Sequence, residues 1–269
     1  MSTNPFAAPQ TPPYAPLPKT PAFKPIERLQ YLRMYQYIFD NPNWVTNVLL
    51  GGLCGLIPVV GPIVLLGYQY EIVIGLLMSG GQRYPDFDFN RFADYLMRGV
   101  WPFLVQLVAG LVLILPVMLV MMVPLFALMG LAANTHDNAA VGVGLLLGFL
   151  VWMLIMILVS LVPAIVLIPM QMRAGLALDF GVAFNFGWIV DFIKKTWLDM
   201  LLGLLFLAFT ATLLVLLGYV ACLIGVFFAM PIIYLAQAHF IYELYLLFLS
   251  RGGEAIPIKH SPTPQPSGH

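Results

Sequence analysis

The chain has 269 residues, 12 basic and 12 acidic side chains, a formal net charge of +0, 61% hydrophobic residues and 9% charged residues. A soluble domain carries roughly 25% charged residues, and with a mean hydropathy of +0.92 too few polar side chains remain here to cover a hydrated surface. A water-soluble globule is therefore excluded, and the scattered basic residues exclude a nucleic-acid binder, which needs clustered Lys and Arg. The expected fold class is all-α: a polytopic membrane helix bundle with the lipid bilayer as its partner.

Residues 1–25 hold eight prolines and lack the apolar core of a signal peptide, so they read as a disordered, extended tail. The membrane domain is expected over 26–251, and a second Pro-rich tail over 252–269. Ile26 to Phe39 mixes apolar residues with Glu27, Arg28, Gln30 and Arg33, the composition of a helix lying in the headgroup region. Val45 to Met78 reads either as one long span or as two short helices folded at Pro58-Val59-Val60-Gly61-Pro62, which suits a tight bend. Phe87 to Arg98 is again aromatic and amphipathic. Two apolar runs follow between Val100 and Met172, separated by the polar stretch Asn134 to Asn138, with Pro102, Pro116, Pro124, Pro163 and Pro169 as kink points. Ala174 to Lys195 is a third interfacial segment, and Trp197 to Leu249 holds two spans with a break between Gly218 and Gly225.

Charge orients these segments, because cytoplasmic loops collect Lys and Arg near the spans. Every basic residue can be placed on one side if Val45 to Met78 enters and returns, and the Asn134 to Asn138 loop carries none. The expectation is about six membrane segments in three hairpins, the first short enough to be re-entrant, with both termini in the cytoplasm. Arg98 lies three residues before Trp101, and Lys194 three before Trp197. Each pair reads as an interface anchor, with a snorkelling cation beside a boundary-seeking indole.

Shifting the chain by 172 positions superposes Tyr70-Glu71 on Tyr242-Glu243, Leu77 on Leu249, Gly80-Gly81 on Gly252-Gly253 and Pro85 on Pro257. This pattern is that of a parallel internal repeat. The pieces Asp40-Asn41-Pro42-Asn43-Trp44, Gly51-Gly52, Leu56-Ile57-Pro58-Val59-Val60, Gly67-Tyr68, Glu71 and Pro85-Asp86-Phe87-Asp88 resemble a family of polytopic prokaryotic membrane proteins catalogued only as a domain of unknown function. The resemblance covers about residues 35–250. It implies a multi-pass protein of a prokaryotic cytoplasmic membrane and carries no active site to transfer.

Polar groups inside the apolar runs mark candidate sites, since an ionisable side chain within a bilayer is costly. They are Glu71, Gln69, Gln106, Gln237, His239 and Glu243. His239 and Glu243 are four apart and share a helical face, an arrangement open to proton relay or to interhelical hydrogen bonding. Two residues do not specify a metal, Cys54 and Cys222 lie apart in apolar stretches, and no nucleophile elbow, phosphate loop or zinc signature is present. No enzyme activity, metal or cofactor is expected. Two functions remain: a small transporter or lipid- and solute-handling protein with a Glu-lined interior, and a non-transporting membrane scaffold or assembly partner. On the first, Glu71→Gln and Glu243→Gln are expected to leave stability nearly intact.

Overall fold

The computed structural model describes residues 25–134, 138–220 and 224–259. Among them the regular structure is helical: α1 (Arg33–Gln36), α2 (Trp44–Gly55), α3 (Val60–Ser79), α4 (Phe92–Asn134), α5 (Asn138–Ala177), α6 (Phe186–Val220) and α7 (Ile224–Ser250), with short 3-10 turns at Tyr37–Asp40, Phe89–Arg91 and Gly181–Phe184. Among the described residues, four stretches are long and apolar enough to cross a membrane: Val60–Ser79, Phe89–Val112, Phe186–Val220 and Gly225–Ser250. At 1.5 Å per residue α3 is about 30 Å long, the thickness of a hydrocarbon layer, whereas the 12 residues of α2 reach only about 18 Å. Residues 1–24, 135–137, 221–223 and 260–269 lie outside the described residues, and with them the expected N-terminal tail and the middle of the expected polar turn and of the break between Gly218 and Gly225.

α3 and α7 form the centre. The apolar windows of both are 72% buried, against 33% for that of α4 and 17% for that of α6. They run in the same direction: Leu65 and Ile72 lie with Pro231 and Leu235 around one small cavity, and Gly81, past the end of α3, touches the Tyr242 hydroxyl near the end of α7. α4 crosses α3 in the opposite direction at Gly67 and Gly99, where a Cβ on either glycine would collide with the backbone of the other helix. Only glycine permits that approach, which brings Arg98 of α4 level with Glu71 of α3.

Both central helices end alike. Gly81 N donates to Leu76 O at 2.8 Å, and Gly253 N donates to Phe248 O at 3.0 Å. Left-handed glycines, Gly80 at φ 64° and Gly252 at φ 73°, make this closure possible. At the other end of α3 the bend expected at Pro58 to Pro62 is present. Val60 N donates to Pro58 O at 2.7 Å, and Val59 sits between them at φ 63°, ψ −54°, a γ-turn that a β-branched residue rarely adopts.

The amphipathic segments differ from their expected form. Ile26 to Phe39 is not one interfacial helix. It holds α1 and part of a 3-10 turn, with Leu29, Met34, Tyr37 and Ile38 buried in the core and α1 packed on α7, so part of its apolar surface meets protein, while Leu32 and Phe39 stay exposed. Phe87 to Arg98 leads into α4, which runs on as helix through Pro102, and Ala174 to Lys195 is divided between the ends of α5 and α6 and the turn between them. Part of the expected C-terminal tail is packed on the bundle. Residues 252–259 lie extended along the body, with Ile256 buried, Ile256 N donating to the Tyr245 hydroxyl, Trp188 Nε1 donating to Glu254 O and Lys259 N donating to Leu176 O. A buried isoleucine and backbone hydrogen bonds to the bundle outweigh the tendency of a Pro-containing segment to stay solvated.

Candidate functional site

One end of the bundle gathers the C-termini of α3, α5 and α7, the N-termini of α4 and α6, the N-terminal segment and the C-terminal strap. Arg98 joins α4 to Gly175 of α5, Trp188 of α6 packs on Phe248 of α7 with ring centroids 5.0 Å apart, and Ile26 N donates to Ser250 Oγ. The sequence-selected polar residues Glu71, Arg98, His239 and Glu243 lie towards this end.

Glu71 is the hub of an ion-pair cluster. Arg98 Nε donates to Glu71 Oε1 at 2.8 Å, and Arg91 Nη2 donates to Glu71 Oε2 at 3.3 Å. Arg91 Nε also lies 3.7 Å from Asp94 Oδ2, with its guanidinium 5.2 Å from the Tyr95 ring centroid. Arg98 has two further acceptors, Gly175 O and Lys259 O, both at 2.9 Å. Its side chain is 1% exposed, so the guanidinium, expected to snorkel beside Trp101, turns inward. The reason is the Gly67 and Gly99 crossing, which brings a carboxylate within reach and makes a paired, hydrogen-bonded interior more favourable than snorkelling. Trp101 is half-buried against the core, whereas Lys194 and Trp197 are exposed.

Glu243 stands in a different environment. Its Oε2 accepts the Gln30 backbone N–H at 2.8 Å, and its Oε1 lies 3.8 Å from His239 Nδ1, too far for a hydrogen bond. Both side chains are almost wholly buried, and His239 Nδ1 has no hydrogen-bond partner. The Tyr37 ring covers His239 with centroids 4.6 Å apart, and its hydroxyl donates to Leu235 O at 2.6 Å. The two glutamates thus carry different loads: Glu71 neutralises guanidinium groups, and Glu243 is tied by a single backbone donor. Gln69 is buried between α3 and α7, its amide without a hydrogen-bond partner. Gln237 is half-buried, and Gln106 accepts from Gln171 at 3.3 Å.

Sequence reasoning missed an asparagine clasp. The side-chain amides of Asn41, Asn43 and Asn47 donate to the Asp86 carboxylate at 2.8, 2.8 and 3.0 Å, and Asn47 Oδ1 accepts Phe87 N at 2.9 Å. The cluster fastens the start of α2 to the segment after α3. Burial raises the Asp86 pKa, but the three amide donors outweigh it and hold the carboxyl below its ordinary value of 3.8. The signal for it was present as two short polar pieces in an apolar chain, Asn41-Pro42-Asn43-Trp44 and Pro85-Asp86-Phe87, and here they meet.

Among the described residues no group of three His, Cys, Asp or Glu is arranged to hold a metal ion. No curated protein and no solved structure matches the chain. The model of a family described as "Protein of unknown function (DUF4013)" matches residues 50–227, more than half of the sequence, and the chain belongs to that family.

Proposed function

We propose that this is a non-enzymatic, multi-pass protein of a prokaryotic cytoplasmic membrane that moves or presents a small solute or lipid, with Glu243 as the residue that exchanges a proton. The observation that carries this reading is the Glu243 and His239 pair on α7: a nearly buried carboxylate with one backbone donor, beside an imidazole nitrogen that has no partner. Structural ion pairs are normally saturated with donors, as Glu71 is, and a group left short of partners inside a bundle is where protonation can change without dismantling the fold.

On this reading α2 and α3 form a re-entrant first hairpin, α4 with α5 and α6 with α7 form the other two, and the end that holds Arg91, Arg173, Lys195 and Arg251 faces the cytoplasm with both termini. The parallel course of α3 and α7 and their matching glycine closures support descent from a duplicated unit. Proton flux in proteoliposomes, driven by candidate solutes and lipids, tests the reading. Glu243→Gln is expected to abolish coupled flux while detergent stability changes little. Flux unaffected by Glu243→Gln overturns the role of Glu243, and a wild-type protein without flux leaves the scaffold reading.

A further inference from the structure

A small cavity lies where α2, α3 and α7 meet, lined by Asn47 and Gly51 of α2, Leu65, Tyr68, Gln69 and Ile72 of α3, and Pro231, Tyr234 and Leu235 of α7. The space open to the centre of a water molecule is about 10 Å³, the lower bound of the roughly 10–15 Å³ that accommodates one water. Gln69 lines it and is 1% exposed, and neither its Nε2 nor its Oε1 has a hydrogen-bond partner. An amide offers two donors and two lone pairs, and burying all of them unused is among the costliest arrangements in a low-dielectric interior.

Two of the polar neighbours, Asn47 and Tyr68, are already committed. Asn47 donates to Asp86 and accepts from Phe87 N, and the Tyr68 hydroxyl donates to Pro85 O at 2.9 Å. Pro231 has no N–H to offer, and it leaves the Phe227 carbonyl, one turn earlier in α7, without its helical donor. That carbonyl lies against Gly52, the residue after cavity-lining Gly51. We propose that this cavity is a binding site for a single structural water molecule, held by the Gln69 amide between α2, α3 and α7. The site is separate from Glu243 and does not depend on its protonation. It explains why α2 presents Gly51 and Gly52 to α7: a side chain on either would crowd Pro231 or the Phe227 carbonyl.

Two measurements on the full chain in nanodiscs test the site, with water itself as the probe. X-ray hydroxyl-radical footprinting oxidises side chains beside ordered internal water even where bulk solvent has no access. Tyr68 and Leu65 are expected to label several-fold faster than Phe192 and Phe248, which are also buried and do not line the cavity. In protein labelled with 15N at glutamine side chains, the Gln69 amide, identified by its loss in Gln69→Leu, is expected to show a cross-relaxation peak to water. Labelling of Tyr68 and Leu65 no faster than that of the two phenylalanines overturns the proposal, as does a Gln69 amide with no contact to water. Should Gln69→Leu fail to fold, the footprinting of the wild type decides alone.

Discussion

Glu71 and Glu243, which coincide when the sequence is shifted by 172 positions, are expected to respond differently to the same substitution. Glu71→Gln keeps the shape of the side chain and one acceptor oxygen but removes the charge that balances Arg98, whose side chain is 1% exposed, and Arg91, whose side chain is 37% exposed. Leaving a buried ion without its counter-ion costs about 3–5 kcal/mol. The lower end applies, because Glu71 retains 13% side-chain exposure and Arg98 keeps its bonds to Gly175 O and Lys259 O. Arg98→Met removes the cation and both carbonyl contacts but leaves Glu71 paired with Arg91, so about 2 kcal/mol is expected. The double variant buries neither charge, and its loss is expected to fall short of the sum by at least about 1.5 kcal/mol. Unfolding in mixed micelles, or by steric trapping, gives the three free energies. Glu71→Gln within about 0.5 kcal/mol of wild type, or strict additivity of the pair, would refute the argument that the ion pair is a structural requirement. That outcome would restore the expectation, drawn from the sequence, that both glutamates are dispensable for folding.

Asp86→Ala is expected to lower stability by about 2 kcal/mol, three charge-assisted bonds discounted for the partial exposure of the carboxylate. Because the folded-state pKa of Asp86 lies below 3.8, its contribution is complete above that value and lost as pH falls through the folded pKa. The stability gap between wild type and Asp86→Asn, followed by unfolding as a function of pH, is therefore expected to stay constant near neutrality and close in acid; a gap that widens in acid contradicts the clasp. At the γ-turn, Val59→Gly is expected to stabilise the protein by about 0.5–1 kcal/mol, the relief of positive φ less the greater chain entropy of glycine. Val59→Ala, which keeps a Cβ, is expected to gain less than half as much, and a loss of stability in Val59→Gly would show that the turn is not strained.

Composition and periodicity alone determine that the chain is helical and lipid-facing. Long runs without charge suit a lipid solvent, and Pro58 to Pro62 marks a turn because its residues bring local backbone constraints with them. The Glu71 and Glu243 positions were legible for the same reason, since a lone carboxylate in an apolar run stands out. What each does was not. Whether Arg98 snorkels or turns inward depends on how closely α3 and α4 approach, which is set by Gly67 and Gly99 on separate helices and appears only once those helices cross. Ile26 to Phe39 has an apolar face that suits lipid and protein equally, and only the position of α7 decides between them. The Pro-containing segment 252–259 reads as a tail until the bundle supplies an acceptor at Leu176, donors at Trp188 and Arg98 and a slot for Ile256. Local sequence dictates which segments leave water; the partners of their few polar groups come from residues far away in the chain, and only tertiary packing selects them.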